Sequence, residues 1–481
     1  GAVRGLPTVQ VLPAQSPPEL MPLVLGLHDE LLRRLARRDH LRLLRGRERE
    51  LAEGAWVLVA SDGEGARITI RQPGRRDQLE LRIALEVDAL VAGAELAGRV
   101  IAASVGAGGE RGLDDPPMPA AARAYLWRAL ERGRHDELDR RLADDDYAAA
   151  AWLAGDDPRV MAGLAMSEVR RAFFSDPPRP EQLTRAIDLA TRAITAAPHA
   201  AEAQLAYGRV LLHLGDVVGA AVHLRTAMAR APFLTDPHEW LGRLLLEAGF
   251  LAEGMDRMRE VLDMDPDLEQ PRWALARAHA LEGRWDHHDA LLRELDQRPG
   301  GATRLALVLR TAAWRGDLAT MARIRAISAR QPSMPWFERS LIDAVCDATI
   351  AGRWAAIRDQ VLRTVTTSPD DGGTRRRAFL AQIICEVAAA SGDLDAAIAM
   401  LELAVDSGLF DRHWLERCPL LVHLRHDPRY PPLHAQVRAR AHAILDAFYG
   451  DAAPRRPGDT EIFEAVDVPD AHSLGADRPG A

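Results

Sequence analysis

The chain has 481 residues, with 61 basic and 70 acidic side chains and a formal net charge of −9. It contains no lysine and no asparagine, so every basic side chain is an arginine. A GC-rich genome would explain both absences. A chain without lysine has no Walker A phosphate-binding lysine, no kinase strand lysine and no residue that forms a Schiff base. Without asparagine it has no N-glycosylation acceptor. Several large enzyme classes are therefore excluded for this stretch.

The three cysteines, Cys346, Cys385 and Cys418, lie far apart and show no Cys-x-x-Cys spacing. This pattern argues against a disulfide framework or a zinc site and is typical of a reducing cytosol, so we predict a cytoplasmic location. No run of about 18 uncharged apolar residues is present, and we predict no membrane-spanning helix. The first residue is Gly1 rather than Met, and we interpret the chain as part of a longer protein.

Short apolar runs dominate the beginning of the chain. The predicted elements are the strand Val9–Leu12, the helix Pro18–Arg38, the strands Leu41–Leu44, Ala55–Ala60, Ala66–Arg71 and Gln78–Leu85, and the helix Val87–Ala103. The sequence Ser-Asp-Gly-Glu-Gly between the third and fourth strands is typical of a hairpin turn. Together these elements predict a small α/β domain over residues 1–105.

Eight arginines lie between Arg33 and Arg49. Such a cluster can bind phosphates or nucleic acid. However, the chain is acidic overall and the cluster has few aromatic residues that could stack on bases. We therefore interpret the cluster as a solvent-exposed helix face and disfavour a nucleic-acid partner.

A fixed period begins after a Gly- and Pro-rich stretch, residues 106–117, that we predict to be a linker. Two residue types recur every 34 residues: Pro198, Pro232 and Pro266, and Gly215, Gly249 and Gly283. Gly lets a helix end in the left-handed conformation, and Pro marks the loop before the next helix. Two helices of roughly 12–15 residues fit between them, each too short to be stable alone. We therefore predict helical hairpins that stack into a solenoid over residues 118–450.

The repeat pattern resembles the tetratricopeptide repeat (TPR) family. The unit that begins at Ala201 carries the family's small residues and proline at Gly208, Ala220, Ala227 and Pro232. The next two units match less fully, with Gly254, Val261 and Gly300 where the family usually has Ala or Pro. The resemblance implies a mainly α fold: a right-handed α-solenoid of TPR-like helical hairpins preceded by the small α/β domain.

The N-terminal part resembles the small TolB-amino-terminal-like domain that precedes TPR repeats in bacterial signalling proteins. The matching stretches are Val9–Pro13, Gly26–Leu31 and Ala66–Ile70. Near the other end of the chain, Leu420–Tyr430 is similar to the closing helices of such proteins. In proteins of that build the upstream part is often a Ser/Thr kinase, a nucleotide cyclase or a winged-helix DNA binder.

Four arginines follow the repeat period. Arg209, Arg243, Arg277 and Arg310 are separated by 34, 34 and 33 residues, and we call them the arginine ladder. In the TPR family this position faces the concave groove where ligand peptides lie. Guanidinium groups pair with carboxylates in a bidentate manner, so the ladder would suit an extended acidic segment. The alternative is internal neutralisation by Glu202, Asp236, Glu239 and Glu247 on the same surface.

Trp273 is also predicted to face the groove, where it would be an aromatic anchor; burial in the core is its alternative. The familiar TPR clamp for chaperone C-termini relies on Lys and Asn, so that partner is disfavoured here. The last residues, 451–481, contain seven acidic residues and three arginines, and we predict a flexible acidic tail. This tail is one candidate occupant of the groove, and simple disorder is the alternative.

Other motif-like strings fail on inspection. The Gly-rich stretch Gly106–Gly112 is not a dinucleotide-binding loop, because it follows no strand and has Arg111 where the third glycine is required. The stretch Asp263–Glu269 lacks the central glycine of a calcium-binding loop. The pair His287–His288 has no third ligand at the spacing of a metal site. We therefore predict no catalytic residue, cofactor or metal.

The sequence predicts a non-enzymatic protein-interaction scaffold or sensory module of a bacterial cytoplasmic signalling protein. The alternative is the regulatory C-terminal part of a larger enzyme or regulator, a Ser/Thr kinase, nucleotide cyclase or winged-helix transcription factor.

Overall fold

The computed structural model describes residues 7–17, 20–38, 41–45, 55–61, 64–72, 78–105, 118–133, 137–174, 179–232, 234–266, 268–296, 302–331, 334, 336–366 and 373–450. The predicted linker, residues 106–117, and the predicted acidic tail, residues 451–481, lie outside these ranges. The described chain is mainly α, with a small sheet at its start. The predicted architecture, an α-solenoid of helical hairpins preceded by a small α/β unit, is confirmed.

The described residues of the N-terminal unit form a five-stranded mixed sheet with two helices. The strands are β1 (Thr8–Val11), β2 (Arg42–Arg45), β3 (Ala55–Ser61), β4 (Ala66–Arg71) and β5 (Gln78–Ile83), and the helices are α1 (Met21–Ala36) and α2 (Val87–Val105). The order in the sheet is β2-β1-β3-β4-β5, with β1 parallel to β2 and β3 and the last two pairings antiparallel. The alternating apolar residues of the strands pack against α1 and α2 in one core.

Helical hairpins follow, each built from two antiparallel neighbours. Their bounds are α3 (Ala120–Arg132) with α4 (Glu137–Ala154), α5 (Pro158–Phe174) with α6 (Pro180–Ala196), α7 (Ala201–His213) with α8 (Val217–Arg230), α9 (Thr235–Glu247) with α10 (Leu251–Met264), α11 (Gln270–Leu281) with α12 (Trp285–Asp296), α13 (Ala302–Arg315) with α14 (Leu318–Ala329), α15 (Trp336–Thr349) with α16 (Trp354–Thr366), and α17 (Thr374–Ala390) with α18 (Leu394–Asp406).

The glycine period has the predicted structural role. Gly215, Gly249 and Gly283 adopt φ values of 86°, 87° and 66°, in the left-handed region that lets the first helix of each hairpin end. Several hairpins add an aspartate directly after this glycine, and the carboxylate of Asp216 accepts a hydrogen bond from the Gly219 amide to cap the second helix. The glycines that recur every 34 residues therefore mark the ends of the first helices of successive hairpins.

The end of the described chain folds back on the earlier hairpins. It comprises α17, α18, the short α19 (Arg412–Arg417), two 3₁₀ turns (Pro419–Leu421 and Leu424–His426) and α20 (Tyr430–Tyr449), and we call it the C-terminal section. Helix α20 shares a hydrophobic cluster with α8 and α9, in which Ile444 and Phe448 join Leu224 and Leu245. Helix α17 lies against α7, and α19 lies against α9 and α11. The first helices of these hairpins are thus covered by the chain's own C-terminal section.

The arginines at the start of the N-terminal cluster do not form the solvent-exposed face that we predicted. Arg34, Arg37 and Arg38 are only 8%, 5% and 5% exposed. Arg34 binds Glu30 within α1, and Arg37 binds Glu202 at the start of α7 with Nη2–Oε distances of 2.6 and 2.8 Å. The prediction was wrong because the amphipathic pattern of α1 alone could not reveal that its polar side packs against the solenoid.

None of the described helices is both long and apolar enough to cross a membrane.

Candidate functional site

A cavity of about 390 Å³ lies between the first helices of the central hairpins and the C-terminal section. One wall comes from α7, α9, α11 and α13, and the opposite wall comes from α17 and the residues around Asp411. All four arginines of the ladder line this cavity: Arg209, Arg243, Arg277 and Arg310. The repeat period brings them together because each occupies a similar position on the first helix of its hairpin.

Two ladder arginines bind carboxylates of the C-terminal section. Arg277 donates from Nη2 to Oδ2 of Asp411 at 2.5 Å, and Arg310 binds Glu386 through Nε at 3.0 Å and Nη2 at 2.6 Å. Burial acts to lower the pKa of Arg310, but the charge of Glu386 raises it above its usual value. Glu386 also accepts a hydrogen bond from the indole Nε1 of Trp414 at 2.5 Å. At this end of the ladder, carboxylates of the same chain neutralise the two arginines.

Arg243 is paired less closely. Its Nη2 lies 3.9 Å from Oε1 of Glu247, one helical turn away, and the same carboxylate accepts hydrogen bonds from Arg375 of α17 at 3.0 and 3.1 Å. Burial acts to raise the pKa of Glu247, but the two arginines lower it below its usual value. One carboxylate therefore serves two cations, and Arg243 has the weaker share.

Among the described residues, Arg209 makes no ion pair within 4 Å. Its guanidinium lies 4.4 Å from the ring centroid of Trp240, and the guanidinium of Arg243 lies 4.7 Å from the same centroid. The Nε of Arg209 is buried and has no hydrogen-bond partner in the described part of the chain. Burial lowers the pKa of Arg209 to about 10, although the more distant Asp236 and Glu239 partly offset this effect. The cation–π contact stabilises the charge without satisfying the donor.

His213 stands beside these arginines at the end of α7. Its side chain is buried, and none of the described residues forms a hydrogen bond with Nδ1. Burial, together with the charges of Arg375, Arg209 and Arg243, holds its pKa well below the usual range, so the imidazole is neutral at neutral pH. The ring of Phe173 meets it edge-on at 5.5 Å, and Phe173 in turn contacts Phe174 and Phe379 with centroids 5.0 and 5.6 Å away.

The structure does not bring Trp273 to this cavity. Trp273 is 8% exposed and is absent from the cavity walls, so it lies where the alternative interpretation placed it. Trp240 takes the aromatic position instead. It stands three residues before Arg243 on α9, and the i,i+3 spacing that places two side chains on one helix face was the signal that could have identified it.

The predicted neutralising acids divide between two places. Asp236, Glu239 and Glu247 line the cavity, whereas Glu202 is held by Arg37 of the N-terminal unit. A second, smaller cavity of about 110 Å³ lies at that junction. The carboxylates that bind Arg277 and Arg310 are 134 and 76 residues away along the chain. No local spacing rule could have paired them.

No family model and no curated protein sequence matches the chain. Among solved structures, the chain is similar to yeast Tom70, with 15% identity, a TM-score of 0.36, and 66% of this chain and 68% of that chain covered. It is also similar to a tetratricopeptide repeat protein from Parabacteroides merdae, with 11% identity, a TM-score of 0.27, and 67% of this chain and 100% of that chain covered.

Proposed function

We propose that the chain is a non-enzymatic interaction module that binds a carboxylate-bearing segment of a partner protein through its arginine ladder. The observation that carries this proposal is internal: Arg277 and Arg310 already bind Asp411 and Glu386, two carboxylates contributed by a distant part of the chain. Carboxylates are therefore the groups that this wall accommodates, and bidentate Arg–carboxylate pairs are among the stronger hydrogen bonds of proteins.

The end of the ladder at Arg209 and Arg243 is the place for the partner. Arg209 makes no ion pair within 4 Å among the described residues, and Arg243 shares Glu247 with Arg375. An aspartate or glutamate from a partner would complete both. The acidic tail, residues 451–481, offers the same chemistry from within the chain, and its removal is one arm of the test below.

The resemblance of the N-terminal part to a TolB-amino-terminal-like domain gives this module a context. We propose that it is the sensory or scaffolding part of a bacterial cytoplasmic signalling protein. The alternative is a regulatory part of a larger kinase, cyclase or winged-helix regulator. The full open reading frame distinguishes the two, because a catalytic or DNA-binding domain would be visible in it.

The test is binding of fluorescently labelled acidic peptides, measured by anisotropy at two salt concentrations. The double variant Arg209→Glu, Arg243→Glu should abolish binding, whereas Arg259→Glu should not. Arg259 is a suitable control because it is 57% exposed and pairs only with Asp256 among the described residues. Equal binding by both variants would contradict the proposed site. A chain ending at Gly450 that binds more tightly than the full chain would identify the tail as a competitor.

A further inference from the structure

The cavity at the ladder has the size of a small-molecule site. Its volume of about 390 Å³ falls within the roughly 300–1,000 Å³ typical of ligand pockets in proteins. Asp411 and Glu386 hold Arg277 and Arg310, so an extended segment along the whole ladder would have to displace the C-terminal section. A short ligand at the Arg209 end needs no such displacement.

The charges around the cavity favour an anion. Among the described residues that line it, six are arginines and five are aspartate or glutamate, which leaves one positive charge in excess. Arg277, Arg310 and Arg375 make close contacts with carboxylates of the lining, and Arg170 pairs with Asp144 outside it. The arginines of the lining without a close carboxylate among the described residues are therefore Arg209 and Arg243, whose nearest carboxylate oxygen is 3.9 Å away on Glu247. The buried Nε of Arg209 donates to no acceptor among the residues that the structure describes. A buried donor that lacks a partner is costly, so an anion that reached it would be stabilised.

The wall next to this cationic end is aromatic. Phe173, Phe174 and Phe379 line the cavity, and Phe173 lies edge-on to His213. His213 is 4% exposed, and its Nδ1 has no hydrogen-bond partner in the part of the chain that the structure describes. The imidazole is one helical turn from Arg209 on α7, so the charged and the aromatic walls are adjacent.

From this juxtaposition we infer that the cavity binds a small amphipathic carboxylate, a free molecule with one carboxylate and an apolar body. The carboxylate accepts hydrogen bonds from Arg209 and Arg243, and the body packs against Phe173, Phe174 and Phe379. The inference shares its two arginines with the proposed partner site, so the small molecule would compete with an acidic partner segment. Such competition would make the interaction module responsive to a metabolite.

The probe is octanoate, with acetate and octan-1-ol as matched controls that lack the body or the charge. Binding to the full chain is measured by isothermal titration calorimetry. Burial of the six additional methylenes should make octanoate at least about a hundredfold tighter than acetate. The carboxylate should make it about tenfold tighter than octan-1-ol.

Two variants separate the two walls. Arg209→Gln should lower the affinity for octanoate about tenfold and leave the affinity for octan-1-ol unchanged, because only the charge-assisted hydrogen bond is lost. Phe174→Ala should weaken both ligands by a similar factor. Arg259→Gln, the surface control, should change neither. A general loss of folding would instead weaken both ligands in the Arg209 variant, and circular dichroism of each variant monitors this.

Equal affinity for octanoate and octan-1-ol, or an Arg209→Gln variant that binds octanoate as the native chain does, would overturn the inference. An absence of octanoate binding at millimolar concentration would do the same. If acidic peptides still bind in an Arg209-dependent manner while octanoate does not, the inference fails and the proposed function stands. If octanoate binds and peptides do not, the proposed function fails alone.

Discussion

The contact between Arg310 and Glu386 joins the central hairpins to the C-terminal section, and its removal tests how the cavity is held closed. The two side chains are 10% and 4% exposed, and Glu386 also accepts the indole hydrogen of the fully buried Trp414. The substitution Glu386→Ala would leave a buried guanidinium and a buried indole N–H without their acceptor.

The size of the effect follows from these two losses. Removing one partner of a buried ion pair costs about 3–5 kcal/mol, and because Arg310 lines a cavity that water can enter, we expect the lower end. The unpaired indole adds about 1 kcal/mol. The free energy of unfolding should therefore fall by about 4 kcal/mol. Glu386→Gln keeps an oxygen for Trp414 and should cost only about half as much.

The assay is urea unfolding followed by far-ultraviolet circular dichroism, with Asp256→Ala as the exposed control. Asp256 is 72% exposed, and its loss should change the free energy of unfolding by no more than about 0.5 kcal/mol. The double variant Arg310→Met, Glu386→Leu should regain most of the lost stability, because no charge is left unpaired. An effect of Glu386→Ala no larger than that of Asp256→Ala would refute the reasoning.

Three further predictions concern other parts of the chain. Burial acts to raise the pKa of Glu30, but Arg33 and Arg34 outweigh it and lower this pKa to about 2. The ionised Glu30 therefore stabilises the fold by about 3 kcal/mol above pH 4.5, and this stabilisation is lost as the pH falls towards 2. In the Glu30→Gln variant, the free energy of unfolding should depend less on pH over this range. Gly283→Ala should lower the free energy of unfolding by about 1 kcal/mol, because φ is 66° while no atom of the described residues lies within 4 Å of the added methyl group. A loss above roughly 3 kcal/mol in thermal unfolding would contradict this. Arg37→Ala removes the closest partner of Glu202 and leaves only the contact with Arg33 at 3.8 Å among the ion pairs that the described residues make with this carboxylate. The change should speed proteolysis within α1 relative to α9, whereas equal rates would show that the Arg37–Glu202 pair does not hold the N-terminal unit.

Local patterns in the sequence were sufficient for most of the fold. The predicted strand Ala66–Arg71 matches β4 at both ends, and Gly215, Gly249 and Gly283 have the positive φ that the repeat period required. These features depend on neighbours a few residues away. The same is true of the ladder, whose members share one cavity because the hairpins are alike.

The sequence could not predict that the C-terminal section packs back onto the earlier hairpins. The return of α17 and α19 onto α7, α9 and α11 depends on the small rotation that each hairpin adds to the next, summed over many hairpins. Small changes in packing alter that sum, so no motif near Glu386 or Asp411 indicates that these acids meet the ladder. The burial of Arg37 against Glu202 escaped prediction for the same reason.

The return of the C-terminal section gives the four arginines of the ladder different neighbours, although each has the same position in its repeat. Arg277 and Arg310 meet the carboxylates of Asp411 and Glu386, and the guanidinium of Arg310 also lies 5.9 Å from the ring centroid of Phe379. At the other end, the C-terminal section contributes a cation, Arg375, which lies close to Glu247 and His213. Arg375 competes with Arg243 for Glu247, and its charge adds to the effect of burial in lowering the pKa of His213. A repeated arginine thus serves as a structural contact at one end of the ladder. At the other end, Arg209 is a partly buried cation over the ring of Trp240, and no acceptor within the described chain reaches its Nε.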